Sequence, residues 1–332
     1  MTSAACQPLV TVLTPVYNGE AYLGECMESV LGQTYQNWEY VVVNNRSTDR
    51  TREIAADYAA RDSRIRIVDN AEFVDVITNH NLAFAEIGPE SAYCKLIQAD
   101  DWMFPECIER LVKVAETSEA IGAVGSFCLA NRSVECVGLE YPSERVNGRE
   151  LARLTLLDKV YPFWSPSVLL IRSSVIRDSN PFYREAGLHA DVDAMYIMLR
   201  DLDFGFVHQV LTYVRHHASS MTAKDARHAN TQRLSRIKLL VTHGGEFLDA
   251  ETYRRRLEAL LTAYYETLGS LYPVRCGKEF WDYQRSQMLE LGMRFSYLRF
   301  WGSLLNDFVE NPRRTIRRFV RSWRSSKDRI TA

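Results

Sequence analysis

Residues 9–129 alternate short apolar, β-branched runs with segments whose apolar residues recur every three or four positions. That alternation constrains the chain more than any single motif does. A βαβ order makes successive strands parallel and sets helices on the faces of the sheet, because each crossover must return to the same strand end. The run LVTVLTPV at 9–16 reads as a buried strand. Residues 20–33 follow as a helix, with Tyr22, Leu23, Cys26, Met27, Val30 and Leu31 on one face. Strands at 38–43, 65–68 and 93–97 and helices at 51–60 and 76–87 repeat the unit. Pro105 suits the first turn of a helix reaching residue 117, and 120–129 reads as a further strand. The pattern predicts an α/β fold, a mostly parallel doubly wound sheet flanked by helices. Beyond it, residues 130–220 are mixed, with Pro162, Pro166 and Pro181 as punctuation, a helix at 191–199 and a strand at 204–213. From residue 224 the chain reads as helical, with amphipathic stretches at 226–243, 251–271 and 278–309.

The 332 residues are 46% hydrophobic and 25% charged, enough for one large α/β domain and a smaller appendage. A net charge of −2 gives the whole chain no bias toward nucleic acid. The seven cysteines (Cys6, Cys26, Cys94, Cys107, Cys128, Cys136, Cys276) include no CxxC pair, so neither a disulfide framework nor a zinc site is expected. The start of the chain lacks the basic-then-apolar pattern of a signal peptide, and no run of about twenty apolar residues occurs. The location these features imply is cytoplasmic.

In a doubly wound sheet, ligands bind beyond the carboxyl ends of the strands. Three polar clusters fall at such ends, at 14–18, 44–49 and 98–101, and should converge although they are distant in sequence. The last ends in Asp100-Asp101. Two adjacent carboxylates after an apolar strand suit a hard divalent ion such as Mg²⁺ or Mn²⁺, which would bridge to a diphosphate. The plainer reading is an acidic turn that caps a helix.

Taken together, VTVLTPVYN at 10–18, ESVLGQT at 28–34, YVVVNNRSTDRT at 40–51, Asn81 within NLAFA and LIQADDWMFP at 96–105 resemble the nucleotide-binding half of family 2 glycosyltransferases in order and spacing. The resemblance weakens to about residue 220, and the final third matches nothing recognisable. It implies a GT-A fold and an inverting transfer from a nucleotide-sugar, commonly UDP-linked, with Mn²⁺ or Mg²⁺ as cofactor. On that basis residues 1–125 form the donor half, 126–222 the acceptor half and 223–332 a helical extension. Thr14, Pro15 and Tyr17 fall where the family contacts base and ribose, with Asn81 beside them. Asp101 is expected as the principal metal ligand, and Asp100 as a partner for ribose or metal.

Three departures stand out. Asn44-Asn45 replace the usual Asp-Asp. Asn45 has an acceptor and two donors, which would still suit a uracil or thymine edge and disfavours guanine. Gln98 replaces a frequent Asp. Ala190 replaces the Glu of a Glu-Asp-x-Asp motif in HADVD at 189–193. An inverting transfer needs a base for the acceptor hydroxyl. Asp191 occupies the central carboxylate of that motif and is the expected base, with Asp193 as a substitute and His189 as support; alternatively Asp191 only caps the helix. Trp164, in YPFWSPS at 161–167, would stack on an acceptor sugar or anchor a loop. Asp49 reads as a helix cap. Arg215-His216-His217 follow the last strand, where His217 would complete a metal shell or touch a phosphate.

The tail places Ile316, Phe319, Val320 and Trp323 at helical spacing among arginines. This is the pattern of a basic amphipathic helix on an anionic membrane surface, peripheral on the inner face, and it would suit a lipid-linked glycan acceptor. A terminal helix packed on its neighbours is the alternative. The short basic cluster, without a nucleic-acid motif, does not indicate a nucleic-acid partner. Two rival functions are a sugar nucleotidyltransferase, which would need a glycine-rich phosphate loop that PVYNGE at 15–20 lacks, and a non-catalytic, membrane-associated homologue.

Overall fold

A computed structural model describes residues 7–184, 189–217, 231–272, 277–313 and 315–320. The chain divides into two compact units, Met1–His217 and Ala218–Ala332.

The first unit is built on a ten-stranded sheet: β1 (Val10–Val16), β2 (Trp38–Asn44), β3 (Ile65–Asp69), β4 (Tyr93–Leu96), β5 (Trp102–Met103), β6 (Ile121–Ala130), β7 (Ser133–Glu135), β8 (Arg145–Val146), β9 (Leu170–Arg172) and β10 (Asp203–Val214). The strand order is β3-β2-β1-β4-β9-β6-β10-β5, with β7 on β6 and β8 on β10. β1, β2, β3 and β4 run parallel, as the alternating pattern requires. β9 enters antiparallel between β4 and β6. It is three residues long, too short for its periodicity to register in sequence.

Helices α1 (Leu23–Leu31), α2 (Thr51–Arg61), α3 (Val76–Ala85), α4 (Cys107–Ala115), α5 (Gly148–Leu156), α6 (Ser173–Arg177) and α7 (Ala190–Met198) complete this unit. All seven residues of β1 are buried, which accounts for its continuous apolar run. Leu23, Cys26, Met27 and Val30 of α1 and Cys107, Ile108 and Leu111 of α4 join β1 and β2 in one core. The carboxyl ends of β1, β2 and β4 lie at one rim. There Asn45 donates its backbone N–H to Val16 (2.8 Å), and Ile97 donates to Leu13 (2.9 Å).

The second unit contains α8 (Thr231–Phe247), α9 (Ala250–Leu271), α10 (Lys278–Glu290) and α11 (Tyr297–Glu310), and residues 315–320 are helical. The expected single helix over 278–309 is in fact two. Gly292 adopts φ +72° and donates to Leu289, while Met293 donates to Met288, both at 2.9 Å. This paired C-terminal closure needs a left-handed residue, which glycine supplies without strain. Ser296 then caps α11 by accepting from the Arg299 N–H. Gly269 of α9 lets α11 approach closely, since a Cβ there would meet the Leu304 nitrogen at 3.1 Å.

Candidate active site

The three polar clusters do converge. Asn18 accepts from the Thr48 N–H (2.8 Å) and donates its own backbone N–H to Ser47 (3.0 Å). Gly19 donates to Thr51, and Asp49 accepts from Glu20 N–H (3.1 Å) and Thr51 N–H (3.0 Å). Asp49 therefore ties the starts of α1 and α2 together. On the other side, Asp100 Oδ2 lies 2.8 Å from His217 Nε2, and the His217 ring sits 5.1 Å from that of Tyr22.

Arg215 organises this edge. Its Nε–H donates to the Asp100 carbonyl (3.0 Å), its terminal nitrogen pairs with Glu25 of α1 (2.5 Å), and its guanidinium lies 4.6 Å from the Tyr22 ring centre. The loop after β10 is thus fastened to the loop after β4 and to α1. These contacts hold the Asp100 and His217 side chains together. Asp100 and His217 would be the residues to hold a divalent ion, with a carboxylate oxygen and an imidazole nitrogen. No cluster of three or more His, Cys, Asp or Glu side chains poised for a metal occurs among the described residues.

Asp101 behaves differently from the expectation that it leads the metal shell. It is 3% exposed. One oxygen accepts from the Ser167 hydroxyl (2.6 Å) and the other from the Arg215 backbone N–H (2.9 Å). Burial, then the Asp100 charge, pushes its carboxyl up to about 7, against those two hydrogen bonds. The geometry makes Asp101 an internal pin, and the open carboxylate is Asp100. Ser167 is the hub of that pin. Its hydroxyl also accepts from Gln98 N–H (3.0 Å), and its carbonyl accepts from Thr212 (3.3 Å) and from the ammonium of Lys95. Lys95 is fully buried within β4, and burial lowers its pKa.

The donor-side residues are similarly engaged. Thr14 turns into the sheet and bonds Tyr40 (2.9 Å) and the Ile97 carbonyl (3.0 Å). Pro15 is buried beside it, so neither presents a side chain at the rim. The Asn45 oxygen accepts from Val74 N–H (3.0 Å) and Asn70 (3.0 Å), and its amide donates to the Val74 carbonyl (2.8 Å). Its acceptor capacity is therefore used inside the protein, and the uracil-reading role expected of it has no free lone pair to rest on. What Asn45 does is hold the segment after β3, which carries Phe73. Tyr17, 47% exposed, packs against Phe73 with ring centres 4.8 Å apart. Phe73 escaped sequence reading because a single aromatic in a polar loop has no period.

Asn81 holds a second segment, accepting from the Tyr183 N–H (3.0 Å) and donating to its carbonyl (2.8 Å). Tyr183 lies over His80, ring centres 5.7 Å apart, and is buried near Asp191, whose charge adds to burial in raising the phenol. His80 donates from Nδ1 to the Val76 carbonyl (2.7 Å), leaving Nε2 to accept from Gln98 (3.1 Å). Burial lowers the His80 pKa, which favours the uncharged ring that this pairing requires. A series of contacts thus leads from the Asp100-Asp101 loop through Gln98 and His80 to Tyr183, which feels the charge of Asp191 at the start of α7. Burial pushes Asp191 up to about 6, partly offset by its own and the Val192 backbone N–H groups. Asp193 is buried, and its backbone closes the first turn onto His189 (3.0 Å). Trp164, at the edge of the loop leading to Ser167, stands edge-on to His216 at 6.1 Å.

The profile of the family described as glycosyl transferase family 2 matches residues 11–177. A Haemophilus influenzae protein named an uncharacterized glycosyltransferase is 29% identical over 176 residues, 52% of this chain and 54% of its own. Bacillus subtilis EpsJ, also named an uncharacterized glycosyltransferase, is 36% identical over 116 residues, 34% of this chain and 32% of its own. The chain thus spans about half or less of these relatives' length. Among solved structures, Staphylococcus aureus TarS 1–349 in complex with UDP-GlcNAc is similar with a TM-score of 0.61 at 14% identity, over 85% of this chain and 80% of that one. Mannosyltransferase PcManGT from Pyrobaculum calidifontis, in complex with GDP-Man and Mn²⁺, gives 0.52 at 16% identity, over 96% and 88%. Those likenesses show a shared GT-A fold. Since the profile covers half of its residues, the chain belongs to glycosyl transferase family 2.

Proposed function

We propose that the chain is a metal-dependent, inverting glycosyltransferase that moves a sugar from a nucleotide-sugar, UDP-linked by preference, to a glycan or lipid-linked glycan. The observation that carries this reading is the Asp100–His217 pair, fastened by Arg215 at the carboxyl rim of the sheet. The donor half is residues 1–125 and the acceptor half 126–222. The nucleotide base would lie on Tyr17 and Phe73, and the diphosphate would reach Asp100 and His217. A divalent cation held there supplies positive charge to the departing diphosphate.

On the acceptor side, Trp164 would meet a sugar face, with His189 and Asp193 near the start of α7. The acceptor oxygen attacks the anomeric carbon as its proton passes to an Asp191 carboxylate oxygen. The bond from that carbon to the phosphate oxygen breaks, and its electron pair leaves with the nucleoside diphosphate. One displacement inverts the anomeric centre. A carboxyl displaced to about 6 is mostly ionised at neutral pH and is a stronger base than an ordinary aspartate. The complexes of TarS with UDP-GlcNAc and of PcManGT with GDP-Man and Mn²⁺ support a nucleotide-sugar donor and a cation in proteins of this fold.

The test is nucleoside diphosphate release from a panel of UDP-, dTDP- and GDP-sugars, with Mn²⁺, Mg²⁺ or EDTA. Cation-dependent release from a UDP-sugar, lost in Asp100→Ala, is the expected result. Release undiminished by EDTA would remove the metal from the reading. If no nucleotide-sugar is turned over or raises the melting temperature, the donor assignment fails.

A further inference from the structure

The second unit leaves one helix face bare. On α11, Leu298 is 85% exposed, Val309 70%, Leu305 65% and Trp301 53%, and Tyr297 and Phe308 are exposed beside them. At 100° per residue these six side chains and Gly302 occupy one continuous arc with no charged member. The rest of the circumference is used. Phe300 and Leu304 are buried. Asp307 accepts from Thr315 (2.8 Å) and pairs with Arg318. Arg299 pairs with Glu258 (2.8 Å), and Asn306 bonds Glu310 (3.1 Å) at the polar edge. The Tyr272 ring lies 5.9 Å from both Trp301 and Phe319, which places residues 315–320 alongside the arc. Ile316, Phe319 and Val320 are exposed there too. A contiguous apolar surface of this kind marks an interaction site.

We propose that this face is a lipid-docking surface, on which α11 lies in the interface of an anionic membrane with the adjoining basic residues at the headgroups. Charge selects the occupant. Residues 313–329 contain eight Lys and Arg against one acid, Asp328, and of these Arg318 is committed to Asp307. Two copies meeting on this face by a two-fold axis would bring the exposed Arg313 and Arg317 of each toward those of the other, whereas an anionic bilayer neutralises them. No helix among the described residues is long and apolar enough to cross a membrane, so the contact is interfacial. The sequence placed the membrane contact at 311–329, of which 314 and 321–329 lie outside the described residues; among the described residues the larger exposed apolar surface is on α11. This inference does not depend on the sugar-transfer reading.

The experiment is co-sedimentation of the full chain with phosphatidylcholine vesicles, with and without phosphatidylglycerol, at low and high salt. Expected are binding to the anionic vesicles, weakening with salt, a blue shift of tryptophan emission that is smaller in Trp301→Phe, and an about tenfold or greater loss of partitioning in Leu305→Glu. Unchanged melting temperature would show that the variant folds. Leu298→Gln, at a still more exposed position, serves if it does not. Binding that Leu305→Glu and Leu298→Gln leave intact would overturn the proposal. So would absence of binding, and a dimer in sedimentation velocity that Leu305→Glu dissociates would then identify a second copy as the occupant.

Discussion

Replacing Asp191 by asparagine should stabilise the protein while disabling it. Burial moves the Asp191 carboxyl from its ordinary value of 3.8 to about 6. The native state therefore holds this proton more tightly than the unfolded chain does. Its stabilising effect is fully present below pH 3.8 and is lost as pH rises through about 6. The displacement corresponds to about 3 kcal/mol, reduced to roughly 1–2 kcal/mol because Asp191 is only partly shielded from water. The asparagine side chain would keep an acceptor for the Val192 N–H and carry no charge at any pH. In denaturant unfolding of the unit that contains it, Asp191→Asn should exceed wild type by about 1–2 kcal/mol at pH 8 and match it near pH 4. Asp101, also displaced upward, titrates in both proteins and cancels in the difference. With a competent donor and acceptor, wild-type kcat/KM should rise through pH 6 to a plateau, and the variant should lose a factor of about 10² or more. Parallel stability curves at all pH values would refute the burial reasoning. Normal turnover in the variant would remove Asp191 from the base role.

Two further outcomes follow from hydrogen bonds and ring contacts at the rim. Ser167→Ala strands a buried Asp101 oxygen and the Gln98 N–H, and should cost about 2–4 kcal/mol in chemical denaturation; a loss below about 1 kcal/mol would show that Ser167 is not the hub described. Phe73→Ala removes one ring of the exposed aromatic pair, and should weaken nucleotide binding in calorimetry by about 3–10-fold with kcat nearly unchanged; unaltered affinity would move the base elsewhere.

Much of the donor half is legible because its signals are local. β1 and β2 are continuous apolar runs, and α1 repeats apolar residues on one face. The polar clusters follow directly from where those strands end. The short elements are illegible for the converse reason. β5, β8 and β9 are two or three residues long and form only because longer strands offer them edges. Lys95 is a case of context overriding character. A lysine inside a buried strand looks like an error until the Ser167 and Leu169 carbonyls are seen to receive it.

The sequence by itself determined the α/β architecture with its parallel strands β1 to β4, and the convergence of three loops on one rim, since hydrophobic period and the alternation of strand and helix depend on neighbours along the chain. It also singled out the acidic pair, the helix-start aspartates and the histidine after the last strand. Only the tertiary structure decided which of these groups remain available. Asp100 and Asp101 are adjacent and chemically identical, yet one faces His217 and the other is closed over by Ser167 and Arg215. Asn45 likewise turns inward to Val74. Availability depends on partners that arrive from 25 to 117 positions away, and no local pattern records them.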